Sequence, residues 1–89
     1  MNRYLVSSQA ACATVDGGAV LLHMETKRYY SLNETGALIW RLLQQRVELP
    51  DIVKQLVETY HVGIADADRA MTRLLGELRA ESLITVASE

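Results

Sequence analysis

Residues 28–40 read Arg28-Tyr29-Tyr30-Ser31-Leu32-Asn33-Glu34-Thr35-Gly36-Ala37-Leu38-Ile39-Trp40, and inside them one hydrophobic period replaces another. Up to Leu32 the residues alternate, and the β-favouring tyrosines predict a strand with Tyr30 and Leu32 on one face, Tyr29 and Ser31 on the other. Beyond Asn33 the apolar residues Ala37, Leu38, Ile39, Trp40, Leu42 and Leu43 cover most of a helical circumference, leaving Arg41, Gln44 and Gln45 as a narrow polar strip. Asn33 stands at the join. Its side-chain oxygen suits the unpaired amides of a first helical turn, and Glu34 suits the positive helix end. A strand running directly into a central helix over 34–45 is the expectation from which the rest of the fold is read.

Upstream, 11–15 and 19–24 read as two strands around Asp16-Gly17-Gly18, a turn signal because glycine tolerates positive φ. Glu25-Thr26-Lys27 then interrupts with polar residues before the third antiparallel strand at 28–32. The first ten residues show no clear period and are expected as a loosely ordered arm, with an extra strand as the alternative, ahead of a domain over 11–86. Downstream, Pro50 suits a first helical turn, and Ile52, Val53, Leu56, Val57 and Tyr60 draw the apolar stripe of a second helix that Gly63 breaks. Asp66 and Asp68 suit the start of a third, whose stripe of Ala67, Ala70, Met71, Leu74, Leu75 and Leu78 continues to about Glu81. Residues 82–86 read as a closing turn with either a short strand or an irregular tail. The order β-β-β-α-α-α gives an α+β, winged-helix-like domain, a three-stranded antiparallel sheet packed on a three-helix bundle.

Composition narrows the function. The chain has 89 residues, 49% apolar and 22% charged, enough for one domain that buries roughly 60–65% of its unfolded surface. No apolar stretch approaches the roughly 18–20 residues that span a bilayer, and the N-terminus lacks a signal-peptide apolar run, so the expected location is cytoplasmic. A single cysteine, Cys12, excludes an intramolecular disulfide framework and CxxC-type sites. The formal charge of −2, with no long run of either sign, advertises neither a nucleic acid nor an anionic membrane as partner.

The stretch Asp16-Gly17-Gly18-Ala19-Val20-Leu21-Leu22, followed by residues 28–40 with their Tyr-Tyr-x-Leu-Asn-x-x-Gly-x-x-Ile-Trp pattern, resembles the PqqD family, named for the pyrroloquinoline quinone synthesis protein D. The resemblance continues through Ile52-Val53-x-x-Leu56-x-x-x-Tyr60-x-Val62 and Leu74-Leu75-x-x-Leu78-x-x-x-x-Leu83-Ile84, covering roughly residues 11–86. It implies a non-catalytic peptide-binding module of ribosomal, post-translationally modified peptide pathways. In that family the leader of a precursor peptide lies as an added strand along the third strand, with the third helix as the other wall. Free-standing copies with a Tyr-Tyr strand are most similar to those of lasso-peptide pathways, which deliver the precursor to a leader peptidase and a cyclase. Others act as chaperones for radical-SAM maturases.

The residues themselves make that mode physically reasonable. The third strand of a meander is an edge, whose free N–H and C=O groups can pair with an extended peptide. Lys27 and Arg28 at its start discourage indiscriminate pairing and offer contacts to acidic leader residues. Tyr29, Tyr30, Ser31 and Leu32 complete the expected binding strand, with Tyr29 as groove lining. On the third helix, Ala70, Arg73 and Glu77 share one flank of the apolar stripe, and with Leu74 they form the expected opposite wall. Gly76, in mid-helix, suits either close approach by another backbone or a tolerated defect.

His23, His61 and Cys12 are too scattered for a metal or Cys–His set, so no catalytic residue and no cofactor is expected. A DNA-binding winged helix is the competing class, but residues 66–81 carry three arginines against four carboxylates, a net −1, where duplex binding needs a surplus of cations. An oligomerisation module is a third class, because the same edge can pair with its twin; the oligomeric state is left as monomer or weak homodimer.

Overall fold

The computed structural model describes residues 2–88. The chain runs β1 (Asn2–Val6), β2 (Ala10–Val15), β3 (Gly18–His23), β4 (Tyr29–Asn33), α1 (Glu34–Gln44), α2 (Leu49–Tyr60), α3 (Ile64–Ala80) and β5 (Ile84–Ser88). At the join between β4 and α1 the Asn33 Oδ1 accepts the Gly36 N–H at 2.8 Å, the expected N-cap, so strand passes into helix with no intervening loop. Strands β2, β3 and β4 form an antiparallel meander in which Leu21 pairs with Tyr30 and Ala19 with Leu32. The turn between β2 and β3 needs its glycines: Gly17 has φ +76°, and a β-carbon on Gly18 would stand 2.0 Å from the Leu32 carbonyl oxygen.

Alternation decides which sheet face is covered. Ala19, Leu21 and His23 of β3 and Leu32 of β4 are buried, and they pack with Ile39 and Trp40 of α1, Ile52 and Leu56 of α2, and Leu78 of α3. Each large aliphatic side chain so enclosed contributes about 1.5–3 kcal/mol. Trp40, 1% exposed, lies in this core as its nearly all-apolar helix requires. Buried His23 closes the β3–β4 loop, its Nδ1 accepting the backbone N–H groups of Glu25 and Thr26, each at 3.3 Å.

Beyond shifts of a residue at the ends of β2, β3 and α1, the boundaries differ from the sequence expectation in four places with an evident reason. Asn2–Val6 is an ordered strand rather than a loose arm, because β5 gives it a partner: Tyr4 pairs with Val86 and Val6 with Ile84 in a separate two-stranded sheet. β4 begins at Tyr29 because Lys27 turns the chain with φ +65°. α2 stops at His61, itself left-handed at φ +56°, before Gly63 is reached. α3 starts at Ile64 rather than Asp66, with the Gly63 carbonyl accepting the Ala67 N–H at 3.0 Å.

Candidate functional site

The open edge of β4 faces a groove whose far wall is α3. Which main-chain groups face that edge follows from one hydrogen bond: the Arg28 carbonyl accepts the His23 N–H at 2.9 Å. Strand alternation then turns the N–H and C=O groups of Tyr30 and Leu32 toward β3 and those of Tyr29 and Ser31 outward. The side chains alternate in the opposite sense of exposure. Tyr30 is half-buried and Leu32 buried on the groove side, while Tyr29 and Ser31 are exposed on the other face.

The groove encloses about 390 Å³. Tyr30, Ser31 and Leu32 of β4 form one wall, the Asn33, Thr35, Gly36 and Ile39 segment closes one end, and Ala70, Arg73, Leu74 and Glu77 of α3 form the other wall. The Leu32, Ile39 and Leu74 end is apolar. At the opposite end Glu77 ties helix to strand, accepting the Tyr30 hydroxyl on Oε1 and the Arg73 Nε–H on Oε2 at 3.3 Å. Burial, then the hydrogen bond to Glu77, pushes the Tyr30 phenol up from 10.0 to about 12. The same hydrogen bond, seconded by Arg73, holds the Glu77 carboxyl below its ordinary value. Glu77 is therefore ionised and engaged throughout the neutral range, whereas the Arg73 side chain, 83% exposed, retains donors for a guest.

Seven of the ten residues expected at the site line this groove: Tyr30, Ser31, Leu32, Ala70, Arg73, Leu74 and Glu77. The other three do not. Lys27 sits in the left-handed turn before the strand. Arg28 pairs with Glu81 at 2.9 Å, which fastens the start of β4 to the C-terminal end of α3. Tyr29 points away from the groove and is 72% exposed, because inward and outward positions must alternate and Tyr30 takes the inward one. Sequence reasoning missed Asn33, Thr35, Gly36 and Ile39. Their signal was the capped helix start itself, since a helix leaving directly from a strand end must close that end of any groove beside the strand.

Among the described residues no three His, Cys, Asp or Glu side chains gather where they could hold a metal ion. Cys12 is exposed and unpaired with another cysteine. No helix among the described residues is long and apolar enough to cross a membrane. The arrangement thus presents main-chain hydrogen-bonding groups, a pocket apolar at one end and one available guanidinium, a set suited to holding an extended peptide.

Residues 18–84 match the family model described as coenzyme PQQ synthesis protein D (PqqD). No curated protein matches the sequence. Among solved structures, TbiB1 in complex with the TbiA(beta) leader peptide is 27% identical, covering 96% of this chain and 99% of its own, with a TM-score of 0.87. A lasso peptide synthetase B1 complexed with the leader peptide is 28% identical over 93% of this chain and 98% of its own, with a TM-score of 0.85.

Proposed function

The chain belongs to the PqqD family, and from that membership we propose that it is an adaptor that captures the leader of a ribosomal precursor peptide and presents it to the enzymes that mature it. The observation that carries this reading is the open β4 edge beside a groove with one apolar and one polar end, in a chain matched almost end to end by two proteins whose structures hold a leader peptide. The leader adds as a strand, its main chain bonding to the outward groups of Tyr29 and Ser31. Its residues opposite Tyr30 and Leu32 turn into the groove toward α3, so every second side chain is read. Arg73 takes an acidic leader side chain at the polar end. Lys27 and Arg28, off the groove, act as charged guards of the edge.

The lasso peptide synthetase B1 among the solved relatives supports a lasso-type pathway, with a leader peptidase and a cyclase as the enzymes we infer are served. The adaptor raises the effective concentration of the precursor at those enzymes and performs no chemistry of its own. The test is fluorescence anisotropy of a labelled leader, taken from whatever short precursor is encoded beside this protein, at two salt concentrations. Saturable binding at about micromolar strength or tighter is expected, since main-chain bonds and apolar contacts survive screening. A leader N-methylated at the amides that face β4 should lose it. Equal binding of the methylated leader sinks strand addition, and steep salt-sensitive binding of duplex DNA without any leader response sinks the adaptor.

A further inference from the structure

Helix α3 carries a second exposed face that the leader groove does not use. At 3.6 residues per turn, Asp68, Thr72, Gly76 and Arg79 lie on the side of α3 roughly opposite Arg73 and Glu77. With Val53 and Val57 of α2 and Leu75 of α3 they border a largely apolar trough of about 1230 Å³ along the α2–α3 hairpin. Ile64 projects at the hairpin's turn, 71% exposed.

Gly76 is the first clue to an occupant. A β-carbon there would meet nothing within 4 Å, so no contact within the chain requires glycine, although glycine weakens a helix interior. Thr72, one turn earlier, is also small and exposed. Together they leave the middle of the face low enough for another helix backbone to approach closely.

Charge then identifies the second helix. Asp68 and Arg79 are eleven residues apart, about three turns or roughly 16 Å of helix, which puts them on the same face at opposite ends of the low stretch. Neither forms an ion pair among the described residues. Glu58 of α2 lies at the same end of the trough as Asp68, with Lys54 one turn farther from the hairpin turn along α2, so the two carboxylates outnumber the one cation in that half while Arg79 makes the far end of α3 basic. A face of that kind complements itself when inverted. We propose that it binds a second copy of this chain, with α3 packed antiparallel on α3 about a twofold axis through the Thr72–Gly76 level, and Asp68 of each copy opposite Arg79 of the other. The β4–α3 grooves then face outward on both copies, so dimerisation and leader binding are compatible. The inference stands independently of the leader reading, because nothing in it involves the groove.

Sedimentation velocity on the intact chain, from about 5 µM to about 1 mM, tests it; a single helical hairpin makes a small interface, with dissociation on the order of 100 µM. Asp68→Arg and Arg79→Asp, each alone, should weaken the dimer about tenfold or more by placing like charges opposite each other. Mixing the two single variants should restore association, since each then meets the opposite charge at both ends, and the double variant should regain roughly wild-type strength. Gly76→Leu should abolish the dimer while leaving the thermal melt no lower. A wild-type chain that is monomeric throughout overturns the proposal, as does a dimer indifferent to the single reversals or one that mixing does not recover.

Discussion

The meander has two edges, and only one of them is built to receive a strand. On β2 the outward main-chain groups belong to Cys12 and Thr14, because the Met24 N–H bonds to the Gln9 carbonyl at 2.8 Å and alternate positions from there turn toward and away from β3. On β4 they belong to Tyr29 and Ser31. The β2 sequence, Ala10-Ala11-Cys12-Ala13-Thr14-Val15, has no charge and is exposed at nearly every position, which makes it the less guarded edge. The helix side chains facing it mix Ala37, Leu38, Trp40 and Tyr60 with Glu34, Arg41, Gln44 and Gln55. The β4 edge is guarded by Lys27 and Arg28 and faces a wall of α3 in which Ala70 and Leu74 stand beside Arg73 and Glu77, the latter tied to the strand through Tyr30. A strand edge becomes a binding site through what stands beside it, because main-chain bonds alone are won from water at small net gain, about 0.5–1.5 kcal/mol each.

The comparison is broken or upheld most sharply by proline. Ser31→Pro removes one outward N–H from β4 while sparing the β3–β4 ladder, whose bonds run through Tyr30 and Leu32. Leader binding should weaken by about 1–3 kcal/mol, roughly five- to 150-fold, with fold stability changed by no more than about 1 kcal/mol. Thr14→Pro, the matching change on β2, should leave leader affinity unaltered. Anisotropy titrations paired with thermal melts read both; if the two prolines weaken the leader equally, the edges are equivalent and the groove is misplaced. Next in size, Ala70→Trp fills the apolar wall from an exposed position, so the chain should stay folded while leader affinity falls about tenfold, or roughly 1.4 kcal/mol, by the same titration. Smaller still, Arg73→Glu should cost severalfold in affinity, with the loss shrinking at high salt, whereas Arg41→Glu beside β2 should cost nothing.

The edge that matters was legible in the sequence because its signals are local. Alternation placed Tyr30 and Leu32 inward, and Asn33 announced the helix that closes the groove. Residues whose position depends on distant partners were not legible. Nothing within residues 2–6 or 84–88 announces that they pair with each other, since that register is set across the whole chain. Tyr29 and Tyr30 carry the same side chain, and the groove side is decided by register with β3. The helix ends were also hidden: α1 and α3 finish with Arg46 at φ +61° and Ser82 at φ +58°, left-handed positions usually marked by glycine. What holds the latter is a closing bond across the helix end, backed by burial of the two residues it joins. The Leu83 N–H bonds back to the Leu78 carbonyl at 2.9 Å, and Leu78 and Leu83 are both buried.

The smallest effect concerns the Tyr30–Glu77 tie, which has no counterpart in the described hydrogen bonds of β2. Its pH dependence follows from the two shifts. Tyr30 is raised from 10.0 to about 12, so its share of stability is intact below pH 10 and lost between pH 10 and 12, where the unfolded phenol ionises first. Glu77 is depressed from 4.5, so its share is present above that value and lost as the pH falls through the lower folded one. Tyr30→Phe should lower stability by no more than about 1 kcal/mol, because the acceptor is a carboxylate that water can solvate in its place. Glu77→Gln should bring the Tyr30 phenol, followed by NMR of its ring, only part of the way from about 12 toward 10.0, since burial is the larger cause and survives the change. A full return to 10.0 would mean that the carboxylate alone sets the shift. The inward face of β4 would then be as open to water as the exposed β2, and the physical distinction between the two edges would fall with it.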